Sequence, residues 1–430
     1  MIAIVVISLI VMIILGVPIC FAVGLSGFLG LYFGTTLDLY IVVQRFISGI
    51  NSFSLMAVPL FILGGAIMDK AGISKRIVGF AASLFSWLRG GLSICCVAAN
   101  MIFAGISGSG AAAVSAIGGI TAPAMKEKGY KPGFVAALIG GAGSLGPVIP
   151  PSVDMIVFAS ITGLSVGRMF MGGMLPGLLI GLCLMIFCFI YAKVHDIDYG
   201  GKFVVKEVLV NLKESIWALI MPFIVIGGVI CGIFTATEAG VVACVYGMIV
   251  GAFIYRELKW KDIIPLFKQA TENTCQVMMI IGASTIYGYI FSLANVGDVI
   301  CGFILSLTTD TTLIMLLTAG FMVFIGCFME SLAAMPIILP IVYPLLEGMG
   351  ANMTQFGVMF CLCTVLGGLT PPVGIYLFLS MSIAKAKIQE IIPYLLVVVA
   401  IIIGTILIAA YVPGLTSFLP DLIMGPMGAS

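Results

Sequence analysis

GISGSGAAAVSAIGG, residues 105–119, interrupts a chain built mostly from long runs of leucine, isoleucine, valine and phenylalanine. Five of its first six residues are glycine or serine. In a helix interior each glycine costs about 1 kcal/mol relative to alanine, so the stretch predicts a break in a helix. Non-helical backbone at membrane depth survives only where protein buries it or water reaches it.

The 430 residues around it are 62% hydrophobic and 9% charged, with a mean hydropathy of +1.27. Soluble domains carry about 25% charged residues. Apolar runs of membrane-spanning length recur from end to end, which predicts an all-α polytopic membrane protein. A net charge of +1 without a basic stripe gives no support to a nucleic-acid partner. The first charged residue is Asp38, so the amino terminus lacks a basic leader and is expected to be a retained span. Twelve cysteines lie mostly singly in apolar segments beside a single histidine, His195. That pattern argues against a zinc or haem site and reads the cysteines as small buried hydrophobes.

Spans of about 20 residues organise the chain as follows. The first half, 1–192, holds crossings at 1–15, 18–33 and 53–69, an amphipathic piece at 77–88, a broken stretch at 91–125, a proline-broken helix at 134–162 and a span at 169–192. A polar linker at 193–214 leads to the second half, 215–415. That half holds 215–234, 238–255, 273–293, an in-plane piece near 298–309, a broken stretch at 311–344, a broken helix at 355–384 and a span at 391–415, with 416–430 as a C-terminal tail.

The two halves are related by a fixed offset of 221 residues: Gly105 falls on Gly326, Ala112-Ala113 on Ala333-Ala334, Pro123 on Pro344, Gly129 on Gly350 and Pro150-Pro151 on Pro371-Pro372. Constancy over such a length indicates an internal duplication. Charge supplies orientation. Lys126, Lys128 and Lys131 follow the first broken stretch, whereas its counterpart carries Glu347 and no base; Lys70, Lys75 and Arg76 face a counterpart with only Asp298. The positive-inside rule then places the first set in the cytoplasm and the second outside. With the broken stretches as re-entrant hairpins, ten crossings result, five per half, which makes the repeats inverted and puts both termini outside.

Paired interruptions in inverted repeats point to a transporter binding site. Four stand out: GISGSGAAA (105–113), GAGSLGPVIPPS (141–152), GCFMESLAAM (326–335) and LGGLTPPVG (366–374). Unwound carbonyls and hydroxyls suit Na⁺, and half-helix amino termini suit a carboxylate. Ser107, Ser109, Ser144, Ser331 and Thr370 are the hydroxyl candidates, and the double prolines free carbonyls one turn earlier. Glycine and serine in membrane helices also serve plain close packing, and a single serine carries no more than that. Intramembrane charges are functional suspects: Glu330 and Asp154 are each open to a sodium-ligand, capping or proton-relay role. Glu238 reads as a helix cap, Arg168 as a side chain snorkelling at a span end, and Trp87 beside Arg89 as part of an interfacial arm. An integral-membrane enzyme finds no nucleophile–base pair or metal cluster here, a structural anchor needs no mirrored breaks, and a channel needs no duplicated hairpins.

The segments VPLFILGGAIMDKAG (58–72), GISGSGAAAVSAIG (105–118), GPVIPPS (146–152), ESLAAMPIILPIVYPL (330–345) and LGGLTPPVG (366–374) together resemble the large membrane subunit of tripartite ATP-independent periplasmic (TRAP) transporters, over nearly the whole chain. The resemblance implies an elevator-type carrier with scaffold and transport domains and Na⁺ coupling. It also implies a separate small membrane subunit of about four helices and a periplasmic substrate-binding protein. Carried over by position, Ser107, Gly108 and Ser109 with Gly143, Ser144 and Gly146 would hold one sodium ion. Gly326, Glu330 and Ser331 with Gly367 and Thr370 would hold the other. An organic anion would lie between the tips, against Ser107, Ser109, Gly110, Pro150, Ser152, Ser331, Pro371 and Pro372. The family carries C4-dicarboxylates, sialic acid and other sugar acids across the bacterial inner membrane. No arginine stands in any interruption, which favours a polyhydroxylated monocarboxylate such as sialic acid. The alternative is a binding-protein-independent sodium/dicarboxylate symporter of related architecture, which carries Ser-Asn-Thr in its hairpin tips; neither tip here has that triplet.

Overall fold

The computed structural model describes residues 1–197, 203–296, 302, 306, 308–327, 331–371 and 374–426, without the side chain of Ser331. Asp298 and most of the in-plane piece expected near 298–309 lie outside these residues. Among the described residues there are helices and turns and no strand that pairs into a sheet. The first half contains α1 (Ile2–Ile14), α2 (Ile19–Gly34), α3 (Tyr40–Ile50), α4 (Ala57–Lys70), α5 (Ile73–Phe85), α6 (Gly91–Ser107), α7 (Gly110–Glu127), α8 (Pro132–Gly143), α9 (Val153–Thr162) and α10 (Val166–Val194). The second contains α11 (Val205–Ile230), α12 (Ala236–Ile249), α13 (Trp260–Leu293), α14 (Thr311–Gly326), α15 (Ser331–Gly348), α16 (Met353–Leu369), α17 (Ile375–Ala384), α18 (Ile388–Tyr411) and α19 (Gly414–Met424).

The 221-residue offset recurs in the starts of these helices: α7 at Gly110 and α15 at Ser331, and α8 at Pro132 and α16 at Met353. The same shift lays α3 and α4 together over α13. In the first half that unit is bent by 65° at Asn51–Phe53, whereas in the second it is one continuous helix of 34 residues. Five helices (α10, α11, α12 with its one-turn π extension, α13 and α18) are long and apolar enough to cross a membrane unaided; the bent α3–α4 pair makes a sixth. Their outward faces carry Leu182, Ile186, Phe223, Phe253 and Leu396, each more than half exposed, which suits contact with lipid.

The helices pack in two groups. In one, α2 and α3 lie on α13, α4 lies on α12, and α5 leans on α11. In the other, α7 and α17 flank α8, α18 packs along α8 and α16, and α10 lies against α6. Lipid is as apolar as leucine, so close approach rather than water exclusion drives this packing, and small residues mark the contacts. A Cβ on Gly133 would clash with the Glu390 carbonyl oxygen, and one on Gly357 would sit 2.6 Å from the Phe158 ring. Phe158 in turn stands edge-on to Phe356 at 6.0 Å, and both are fully buried. First-half and second-half helices therefore share one core.

Four local expectations change. The 416–430 stretch carries α19, which docks on α10 through an ion pair between Arg168 and Asp421 at 3.0 Å. Arg168 also donates to the Gly425 carbonyl and is not a snorkelling side chain. The helix expected from residue 273 begins at Trp260. The short amphipathic segment begins at Ile73, directly after Gly72 in a left-handed conformation (φ 74°). Glu238 does cap its helix: its carboxylate accepts the Thr235 N–H at 2.7 Å while the Thr235 hydroxyl accepts the Glu238 N–H, a reciprocal capping box.

Candidate functional site

The stretch GISGSG forms a helix–helix turn of two residues. Ser107 ends α6, Gly108 takes a left-handed conformation (φ 61°), and extended Ser109 caps α7. Glycine is suited to Gly108 because a side chain is strained at that φ. A Cβ there would also lie 2.5 Å from the Pro151 carbonyl oxygen. The tip is bonded only loosely to itself. Ser109 Oγ accepts the Ala112 N–H at 3.4 Å, and Ser107 Oγ accepts the Ser109 N–H at 3.4 Å. Both are at the long limit of a hydrogen bond, so these hydroxyls can turn toward a ligand at little cost.

The first broken helix lies directly beneath. Gly143 ends α8, and Ser144 caps it, its hydroxyl donating to the Gly141 carbonyl at 2.8 Å. Pro151 has no N–H for the carbonyl four residues back, that of Pro147. The Ser152 hydroxyl donates there instead, at 2.6 Å, and accepts the Met155 N–H at 3.2 Å, so one side chain closes the break and caps α9. Tip and break meet backbone on backbone. A Cβ on Gly146 would lie 2.6 Å from both Gly110 N and the Ser109 carbonyl carbon, and one on Gly143 2.8 Å from Val114 N. The Val153 N–H donates to the Gly108 carbonyl at 3.4 Å. Ser107, Gly108, Gly110, Gly143, Ser144, Gly146, Pro150 and Ser152 are all buried, and Ser109 is half-buried.

In the second half Gly326 ends α14 against Gly367 of α16; a Cβ on Gly367 would come within 2.7 Å of the Gly326 Cα. Thr370 caps α16, and its hydroxyl donates to the Leu366 carbonyl at 2.7 Å. Gly368 and Thr370 are half-buried, while Pro371 is exposed. Glu330, Pro372 and the side chain of Ser331 lie outside the described residues.

Two contacts that the sequence did not reveal join the halves. The Thr364 hydroxyl of α16 lies 3.2 Å from Asp154 Oδ2 and shares its one proton with the nearer Cys361 carbonyl, at 2.6 Å. Asp154 is 5% exposed and is not the cap of α9, which is Ser152. Tyr376, at the start of α17, places its ring between Gly110 of the first tip and Gly368 of the second break. Bare glycines at 110 and 368 were the available signal for that ring, but nothing in the sequence pairs them.

The donors are mainly hydroxyls and carbonyls, with Glu330 the one carboxylate and Cys327 the one thiol, and no arginine, lysine or histidine stands in the four interruptions. Among the described residues no three His, Cys, Asp or Glu side chains gather as a metal group. Such a set suits a hard monovalent cation and not a transition metal.

These features define a polytopic, all-helical membrane protein with a broken-helix unit in each half. Its fold is shared with the crystal structure of the Alcanivorax borkumensis YdaH transporter (TM-score 0.61, 13% identity, 88% of this chain and 90% of that one). Residues 6–415 match the model of the DctM component of tripartite ATP-independent periplasmic transporters, and the chain belongs to that family. Among its relatives is an isethionate TRAP transporter permease protein, DctMQ, of Oleidesulfovibrio alaskensis, 37% identical over 94% of this chain; the chain spans 64% of that longer protein. A C4-dicarboxylate TRAP transporter large permease protein of Vibrio cholerae is 35% identical over 96% of both chains. The sialic acid TRAP transporter large permease protein of the same species is 29% identical, over 95% of this chain and 96% of that one. These relatives are transporter permease subunits and not enzymes.

Proposed function

We propose that this chain is the permease of a sodium-coupled carrier that takes up an organic acid anion across the bacterial inner membrane. A periplasmic binding protein delivers the anion, and a small membrane subunit of about four helices completes the complex, as befits the family. The observation that carries this reading is the direct stacking of a glycine–serine hairpin tip on a proline-broken helix, in the half where both are described. Such a pair sets loosely bonded hydroxyls and unwound carbonyls beside helix amino ends, the arrangement that binds a cation and a carboxylate together. In this reading Ser107, Gly108, Ser109, Gly143, Ser144 and Gly146 hold one Na⁺, and Gly326, Glu330, Ser331, Gly367 and Thr370 the other. The anion lies between the tips, within reach of Gly110, Pro150, Ser152, Pro371 and Pro372.

The helix group around α8 moves against the group around α13 as an elevator, with α5 as the link between them. Both termini lie on the periplasmic side. Weakly basic interruptions favour a polyhydroxylated monocarboxylate such as sialic acid. The higher identities to the isethionate and C4-dicarboxylate permeases favour compact acids, and we place these first. Proteoliposomes containing the chain and its small subunit test the reading. An inward sodium gradient with loaded binding protein should drive uptake. Uptake that ignores the gradient would refute sodium coupling, and robust uptake of free acid without binding protein would favour the symporter alternative.

A further inference from the structure

The ring of Tyr376 touches both half-sites at once. A Cβ on Gly110 would lie 2.8 Å from its Cε1 and Cζ and 3.0 Å from its phenol oxygen, whereas one on Gly368 would lie 2.6 Å from its Cδ2 and Cε2. The two glycines meet different edges of the ring, so the ring lies between the amino end of α7 and the carboxyl end of α16. Gly110 is buried, while Gly368 and Tyr376 are half-buried beside exposed Pro371, so the wedge sits where the packed core gives way to open space. Aromatic rings are rigid, with two side-chain torsions, and hold a fixed spacing better than an aliphatic chain.

We propose that Tyr376 is the size-selecting residue of the anion site, its ring fixing the gap between the two half-sites so that compact acids fit and sugar acids do not. This rests on the transporter reading above. Glycine at 110 and 368 leaves room for the ring; the ring in turn denies that room to the substrate. Selection by steric exclusion is worth one to two orders of magnitude, since a few misplaced carbon atoms change binding about 10–200-fold.

The test is a thermal-shift titration of the purified full-length chain with its small subunit, in sodium and in choline buffer, using isethionate, succinate and sialic acid as probes. A ligand that binds only the folded state raises Tm with the logarithm of its concentration over Kd, and no binding protein is needed for the readout. Wild type should be stabilised in sodium by isethionate or succinate at a concentration about tenfold or more below that of sialic acid, whereas Y376A and Y376L should narrow this ratio to about threefold or less. Y376F keeps the ring and should keep the ratio. A purely structural role would lower Tm in every variant without acid and leave the ratio alone. An unchanged ratio in both Y376A and Y376L, its collapse in Y376F, or a wild type that prefers sialic acid would overturn the proposal while the carrier reading stands. If no acid stabilises wild type in sodium, the anion site itself is refuted, and the proposal falls with it.

Discussion

The two breaks meet the same packing problem with different residues. In the first, Ser144 and Ser152 turn inward and close the freed carbonyls of Gly141 and Pro147, and the whole segment is buried apart from half-buried Ile149. In the second, Thr370 closes Leu366, but Pro371 is exposed and Gly368 half-buried. Residue 144 corresponds to Val365 and residue 152 to Val373 at the 221-residue offset, so the second break lacks both serines. The first break is therefore a sealed core element, and the second is the more open edge of the site. The two breaks stand at equivalent positions of the 221-residue offset, and only the first is closed by a pair of serines.

The largest expected effect probes the sealed side. Gly146→Ala drives a methyl group into the backbone of Ser109 and Gly110, which cannot yield as a flexible side chain would. Overpacking of this kind costs about 1–3 kcal/mol or more, and Gly146→Ala should lower the melting temperature in detergent more than Gly367→Ala. Gly367 would press mainly on the single residue Gly326, at 2.7 Å. Equal losses from the two substitutions would erase the distinction between a sealed and an open break.

A smaller effect is expected at the tie between the halves. Thr364→Val removes the hydroxyl that lies 3.2 Å from buried Asp154 and should cost about 0.5–1.5 kcal/mol, the net worth of one hydrogen bond. Combining it with Asp154→Asn in a double-mutant cycle should give a coupling of about 0.5–3 kcal/mol. Strict additivity would show that the two side chains do not act as a pair. Smaller still, Ser109→Ala loses only a 3.4 Å cap, and caps are worth about 1 kcal/mol. Its melting temperature should fall by little.

Much of this was legible beforehand, for reasons that are local. Glycine, serine and proline in an apolar run resist helix formation wherever they fall, so the turn at Gly108–Ser109 and the break before Ser152 could be read directly. The repeat was legible because proline and glycine positions survive divergence better than apolar identities. What escaped depends on residues brought together from distant parts of the chain. Asp154 stays open to ligand, capping and relay roles until Thr364, from the other half, comes within 3.2 Å of it. Arg168 reads as a snorkelling side chain until α19 folds back to bring Asp421. The bend between α3 and α4 follows Gly49 and Asn51-Ser52, where continuous α13 has Ala270 and Glu272-Asn273, a local signal only, and Tyr376 looks like any aromatic in an apolar helix.

The central claim is that each hairpin tip binds one sodium ion and that both ions drive uptake. The sodium dependence of uptake in Ser109→Ala, Ser331→Ala and the double variant tests it most directly, in proteoliposomes with loaded binding protein. Each single change should raise the sodium concentration for half-maximal uptake several-fold while the protein folds, and the double change should abolish sodium-driven uptake. A sodium dependence identical to wild type in all three would contradict the account.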